Sequence, residues 1–261
     1  ENPGYALYFV IFIIVVAWVL INVVVAVLLE KMVDDGEDGA EEAEVESEMN
    51  TGTALKRQLR ELGAIVNSRT FWLVAPLIMT AQAAWFSHQA LWLGPWLGDV
   101  AQKTPRAAAD SLLIGATGMV IGFITFGFIA DHLRNKGVRT NTVAAIGTGA
   151  FIIVQMLITF PIGIAAEILC FGFGFFGSAI SLFYADLTQR FPLGLTGRVT
   201  TTAALLAFLG GFALNVATGL ILEHWPNPMG YQIAFGGAVC LQLSSFAWFS
   251  INALKQKDQL H

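Results

Sequence analysis

Seven long apolar stretches run through the sequence, and each is close to the roughly twenty residues that a helix needs to cross a bilayer. With 56% hydrophobic and only 13% charged residues, the chain has more apolar surface than a soluble domain can bury. The sequence therefore predicts an all-α integral membrane protein with seven transmembrane helices. The predicted spans are 5–29, 70–97, 108–131, 142–160, 162–186, 199–222 and 230–253.

Acidic residues are concentrated in one short segment between the first and second spans. Residues 34–48 contain nine acids and no bases. Their negative charge is larger than the net charge of −5 of the whole chain, so the rest of the chain is mildly basic. The segment also has few large apolar side chains, so an acidic, disordered linker is predicted at 33–53. A calcium-binding loop does not fit, because Gly36 and Val45 fall where oxygen ligands belong. The bases lie in short loops rather than on one face, so no nucleic-acid partner is predicted.

The bases predict the orientation in the membrane. If the 34–69 connection is cytoplasmic, only Lys103 and Arg106 lie outside, and the other twelve lie inside. This predicts an outside N-terminus and a cytoplasmic C-terminus, in a plasma (inner) membrane, with the amphipathic stretch 54–66 along the interface. The inside bases are Lys31, Lys56, Arg57, Arg60, Arg69, Arg134, Lys136, Arg139, Arg190, Arg198, Lys255 and Lys257.

A charged loop follows the third predicted span, with the sequence GFIADHLRNKGVRT at 127–140. Gly127 and Asp131 lie one turn apart, a small residue favours close helix packing, and a carboxylate at the membrane edge suits a helix N-terminus or an arginine. The alternative is an ordinary positive-inside loop that contains an aspartate. The gate residues predicted here are Gly127, Asp131, Arg134, Lys136 and Arg139.

This loop resembles the signature of the major facilitator superfamily (MFS), although His132 stands where that family usually has arginine. The segments RTFWLVAPLIMTAQAAWFSHQALWLGPWLGDVA (69–101) and LTQRFPLGLTGRVTTTAALLAFLGGFALNVATGLILEHWP (187–226) resemble the seventh helix and the loop into the eleventh helix of these transporters. Residues 54–254 thus resemble the C-terminal six-helix half, two inverted three-helix units. The resemblance implies alternating-access transport of an unidentified small solute, with an N-terminal half from another chain or a second copy.

The opening segment has a different resemblance. Residues 3–35, with the single Asn22 deep in an apolar run, resemble the last pore helix of a voltage-gated cation channel, where an asparagine forms part of the inner gate. A generic membrane anchor is the alternative. The chain is therefore also compatible with a cation-channel pore element, or with a non-functional fusion or gene-model chimera joined near 49–53. The predicted domains are 1–32, 33–53, 54–254 and a cytoplasmic tail at 255–261.

Polar side chains within the second predicted span are the candidates for solute binding, because a polar group in hydrocarbon is costly. Gln82, Trp85 and Gln89 share one helical face by spacing. The resemblance implies that this helix lines the central cavity. Hydrogen bonds between helices are the alternative role, and His88 is also a candidate for proton coupling. The predicted cavity residues are Gln82, Trp85, His88, Gln89 and Asn215.

No arrangement typical of an enzyme stands out in the sequence. It has no nucleophile with a matching base, no phosphate-binding glycine loop and no metal-ligand spacing, so no enzyme activity, catalytic residue, metal or cofactor is predicted. Gly94-Pro95 predicts a helix break at the outer mouth. A small-residue face for helix packing is predicted at Gly172, Gly174, Gly177, Ser178 and Ser181.

Overall fold

A computed structural model describes residues 60–258, and throughout that range it contains helices and no strands. Six of its helices are long and apolar enough to cross a membrane, which confirms six of the predicted spans. The predicted span at 5–29, Asn22 and the linker at 33–53 lie outside the described residues. The six helices are α1 Arg69–Asp99, α2 Pro105–Arg134, α3 Thr140–Thr159, α4 Ala166–Gln189, α5 Thr196–His224 and α6 Met229–Asp258.

Two predicted helix boundaries are wrong, and both errors involve proline. The fourth described span begins at Ala166 rather than at 162, because Pro161 and Gly163, the latter with a φ of +82°, form an exposed turn before it. Gly94-Pro95 does not end α1, which continues to Asp99.

The irregularity in α1 lies one turn before Pro95 instead. A π-helical segment occupies His88–Trp92, and the backbone N–H of Leu93 donates to the carbonyl of His88. Proline has no N–H with which to reach the carbonyl four residues earlier, so a wider turn before it accommodates the missing hydrogen bond. The helix therefore widens at this point and continues to Asp99.

Small residues allow α2 and α4 to approach each other closely. A Cβ added to Gly174 would overlap the carbonyl oxygen of Gly115 and come within 3.0 Å of the amide nitrogen of Met119. Within the predicted small-residue face on α4, Gly174 therefore packs against α2, whereas Gly172 packs against Val154 of α3 and Gly177 against Trp85 of α1. Elsewhere, α1 packs mainly against α5, and α6 contacts α1, α3 and α5.

Buried apolar side chains form one large cluster toward each end of the helices. The end that carries Lys103 is named the Lys103 end, and the opposite end is named the Arg190 end. The cluster nearer the Lys103 end includes Trp96, Leu97, Phe151, Leu169, Phe173, Tyr231 and Phe235. The cluster nearer the Arg190 end includes Ile65, Phe71, Ile78, Phe183, Leu187, Val199 and Phe249.

Polar contacts hold the helices together at both ends. At the Lys103 end, Lys103 Nζ lies 2.5 Å from Glu167 Oε1, and the Tyr231 hydroxyl donates to Asp99 Oδ2 at 2.8 Å. At the Arg190 end, Arg198 of α5 pairs with Glu61, while the pair of Arg190 with Asp186 at 2.9 Å lies within the end of α4 itself. Both Glu167 and Asp186 therefore have protein partners rather than water alone.

Candidate solute cavity

A cavity of about 140 Å³ lies between α1, α2 and α4. The residues that contribute to it stand close to the middle of their helices, which is where a membrane transporter binds its solute. The cavity therefore has the depth expected of a solute site. Its walls are formed by Gln82 and Trp85 from α1, Phe123 from α2, and Gly177, Ser178, Ser181 and Tyr184 from α4.

The α4 wall of the cavity owes its shape to small residues and a short irregular turn. Helix α4 tightens to a 3-10 turn at Ser178–Ile180. The Ser178 hydroxyl donates to the carbonyl of Phe175 at 2.6 Å, and the Ser181 hydroxyl donates to the carbonyl of Ser178 at 2.7 Å. Both hydroxyl hydrogens are thus used within α4, and the serine oxygens remain available as acceptors.

The indole of Trp85 lies directly on the backbone of Gly177. A Cβ at position 177 would come within 2.5 Å of Trp85 Cδ1 and 2.6 Å of Nε1, so only glycine leaves room for the ring. The Nε1–H is buried and has no hydrogen-bond acceptor. A buried donor without a partner is unfavourable, and this one is enclosed by protein atoms rather than open to the cavity.

The structure brings only two of the five predicted cavity residues, Gln82 and Trp85, into the cavity wall. His88 is 3% exposed and packs against aromatic rings, with its centroid 4.1 Å from that of Phe235 and 6.2 Å from that of Phe173. Those rings come from α4 and α6, which the local sequence around His88 does not indicate.

Gln89 and Asn215 also lie outside the cavity wall. Gln89 falls within the π-helical segment, where the wider turn breaks the regular spacing that placed it on a face with Gln82, and its Oε1 is buried without a partner. Asn215 Oδ1 accepts from the Ser87 hydroxyl at 2.7 Å and from Trp92 Nε1 at 3.1 Å. Asn215 thereby joins α5 to α1 rather than lining the cavity.

Sequence reasoning missed the cavity role of the residues on α2 and α4. The sequence analysis places Gly177, Ser178 and Ser181 on a packing face, and the signal for a second role is that two of these residues carry polar hydroxyls within an apolar helix. Tyr184 is an aromatic residue with a polar tip in the same helix, a further signal of this kind. Phe123 carries no signal, because it is one apolar residue in an apolar helix.

The predicted gate motif lies at the Arg190 end of α2. Asp131 Oδ1 lies 3.2 Å from an Arg134 guanidinium nitrogen, and their side chains are 70% and 62% exposed. Lys136 and Arg139 are exposed as well, and a Cβ on Gly127 would meet no atom within 4 Å. The motif therefore leaves its polar and small residues uncovered in the described part of the chain.

Replacing Asp131 by asparagine is expected to leave the melting temperature of the detergent-solubilised chain almost unchanged. An exposed ion pair of this kind contributes about 0–1 kcal/mol. Asp186→Asn is the matched control, because its pair with Arg190 has side chains only 16% and 20% exposed and its loss should lower the melting temperature measurably. A large destabilisation by Asp131→Asn would show that Asp131 makes contacts beyond Arg134.

Among residues 60–258, no group of three His, Cys, Asp or Glu side chains is placed to hold a metal ion. Both cysteines are free thiols, of which Cys170 is buried and Cys240 is exposed.

Comparison with protein families identifies a family that the chain matches. The model of the Major Facilitator Superfamily matches residues 2–215, while a search of curated proteins found no match. The matched range contains α1 to α4, most of α5 and both walls of the cavity, and it also includes the opening segment that resembles a channel helix. That channel resemblance, with Asn22, stays a prediction. The chain belongs to the Major Facilitator Superfamily of membrane transporters.

Proposed function

We propose that residues 54–254 act as the C-terminal half of a facilitator-type transporter, which moves a small solute across the bilayer by alternating access. The proposal includes a second six-helix half that completes the solute site, supplied by an N-terminal half or by a second copy. It also includes the predicted orientation in a plasma (inner) membrane, with the N-terminus outside and the C-terminus on the cytoplasmic side.

The observation that carries this proposal is the position of the cavity. It lies at mid-depth, between two helices of the first three-helix unit and the first helix of the second unit. The polar side chain of Gln82 lines it within helices that are otherwise apolar. A polar group inside the membrane costs free energy, which is unexplained in a protein that serves only as a membrane anchor. The same group is useful in a protein that binds a polar solute.

The exposure of α2 and α5 favours the presence of a second half, because these two helices are the least buried of the six. In an apolar 18-residue stretch of each helix, only 22% of α2 and 17% of α5 is buried, against 56% of α1, α3 and α4. Phe123 is 46% exposed and also lines the cavity, so the cavity opens toward the uncovered side of α2. A partner on that side would close the cavity and bury these helices.

Uptake by proteoliposomes tests the need for this second half. The chain is reconstituted at a dilution that gives at most one copy per vesicle, and separately together with a six-helix N-terminal half. We expect no saturable uptake of amino acids, organic anions or uncharged ring compounds from single copies, because half of the solute site is missing. We expect saturable uptake of at least one class when a matching half is present.

Asp131→Asn provides the internal control for this assay. It should change little in single copies, and it should reduce uptake when the second half is present, because the gate contact then exists to be lost. Robust saturable transport by single copies would contradict the half-transporter proposal. An identical effect of Asp131→Asn in both preparations would contradict the gate role.

A further inference from the structure

The polar groups that remain open in the cavity indicate which class of solute it accepts. Resting on the transporter function proposed above, we propose that the cavity binds an uncharged polyol of about the size of glycerol, held by hydrogen bonds to Gln82, Ser181 and Tyr184. The proposal depends on three features of the described residues, which are the hydrogen-bonding groups without protein partners, the absence of charge in the wall and the size of the space.

Two side chains of the wall have hydrogen-bonding groups that the protein leaves unused. Among residues 60–253, neither the amide of Gln82 nor the hydroxyl of Tyr184 forms a hydrogen bond with another protein group, and both side chains are partly exposed. These groups are not enclosed as Trp85 Nε1 and Gln89 Oε1 are, so they retain surface that an occupant of the cavity can contact. An unused polar group within the membrane is costly, which favours an occupant that hydrogen-bonds to both.

The hydroxyl of Ser181 adds a requirement for a solute that donates hydrogen bonds. Ser181 is exposed, and its hydrogen is donated to the carbonyl of Ser178 at 2.7 Å, so its oxygen can only accept. A carboxylate only accepts and would leave Ser181 without a partner, whereas an ammonium group only donates and would leave the N–H groups of Gln82 unsatisfied. A hydroxyl group both donates and accepts, and several hydroxyls on one short chain can contact α1 and α4 at once.

The absence of charge in the wall selects an uncharged solute. No charged side chain lines the cavity among residues 60–253. Gln82 lies about 20 Å along α1 from Arg69, at the usual helical rise per residue. An ionised solute at this depth would lose its hydration without gaining a counter-ion. His88 does not supply one, because it packs against Phe235 outside the cavity wall.

The size of the cavity limits the bound group to a few carbons. A cavity of about 150 Å³ holds one benzene molecule, and this one measures about 140 Å³. Glycerol has as many non-hydrogen atoms as benzene and a flexible chain, so it fits without displacing the wall. Phe123 lines the cavity and is 46% exposed, so glycerol can enter from the uncovered side of α2, where the second half would contact it.

Saturation-transfer difference NMR tests this solute class, because it detects ligands that bind with millimolar dissociation constants. The full chain is purified in detergent without glycerol, and protein-free micelles give the baseline. Glycerol and lactate are the probes, because they contain the same numbers of carbon and oxygen atoms and differ in charge. We expect saturable transfer to glycerol with a dissociation constant of about 1–10 mM, as for a very small ligand that makes a few hydrogen bonds. We expect transfer to lactate to stay at the baseline.

Gln82→Met and Tyr184→Phe test the contacts themselves, because each removes the hydrogen-bonding group and keeps a side chain of similar size. We expect either substitution to raise the dissociation constant of glycerol about 3- to 10-fold, the effect of losing one hydrogen bond. Gln232→Met is the matched control, since Gln232 is a partly exposed glutamine of α6 outside the cavity wall, and it should leave the constant unchanged.

Transfer to glycerol that rises without saturation, or that is the same in the Gln82→Met and Tyr184→Phe variants, would show an adventitious additive only and would overturn the solute class. Saturable transfer to lactate as strong as that to glycerol would also overturn it. Glycerol is included among the solutes of the proteoliposome assay, so the two proposals are decided separately. Saturable glycerol binding together with robust uptake by single copies would contradict the half-transporter function and leave the polyol site standing.

Discussion

Replacing Gly174 by alanine is expected to lower the free energy of unfolding by about 3 kcal/mol or more, the upper range for a side chain forced into a packed interior. The added Cβ would overlap the carbonyl oxygen of Gly115 and approach the amide nitrogen of Met119. Both are backbone atoms of α2, so no side-chain rotation relieves the overlap and the two helices must separate. The measurement is the temperature at which half of the detergent-solubilised protein remains monodisperse in size-exclusion chromatography.

Gly127→Ala is the matched control for this substitution, since it makes the same chemical change in the helix that Gly174 contacts. A Cβ on Gly127 would meet no atom within 4 Å. Alanine is a better helix former than glycine by about 0.5–1 kcal/mol, so this variant should melt at the same temperature or slightly higher. Equal melting temperatures for the Gly174→Ala variant and the unsubstituted chain would show that α2 and α4 are farther apart than the structure has them.

The positions of the described helices could be predicted from sequence because the requirements for a membrane span are local. A helix needs about twenty apolar residues, and each apolar run meets that requirement by itself. The two wrong boundaries, at Ala166 and at Gly94-Pro95, depend instead on backbone conformation near a proline. Composition reports apolar character and does not report which turn widens to absorb a missing hydrogen bond.

The candidate site could be predicted only in part, because its walls come from distant parts of the chain. Gln82 and Trp85 are recognisable as polar groups within one apolar helix. Whether such a group faces a cavity depends on what lies opposite. Opposite Trp85 lies Gly177, which leaves the indole at a cavity, whereas His88 meets Phe235 and is enclosed. Periodicity also fails at Gln89, because the π-helical segment there has no signature that sequence spacing reveals.

A second large effect is expected where α3 and α6 share a buried pair of amides. Gln155 Nε2 donates to Gln242 Oε1 at 2.8 Å, and Gln242 Nε2 donates to Gln155 Oε1 at 3.0 Å, with exposures of 1% and 0%. Gln155→Leu removes one partner and leaves the amide of Gln242 facing an apolar side chain. The expected loss is about 1–2 kcal/mol, because an unsatisfied buried group costs more than a hydrogen bond contributes.

The double variant Gln155→Leu with Gln242→Leu separates this cost from ordinary loss of packing. With both amides gone, two leucines of similar size face each other and no polar group is left unpaired, so most of the stability should return. The two single substitutions and the double one form a cycle whose coupling should be of opposite sign to the single losses. Ser244→Ala is the control, since Ser244 is exposed on α6 and its hydroxyl donates to the carbonyl of Cys240 in its own helix, so the variant should melt at the same temperature as the unsubstituted chain. Strictly additive losses in the double variant would show that the two amides act independently and that the pair does not hold α3 to α6.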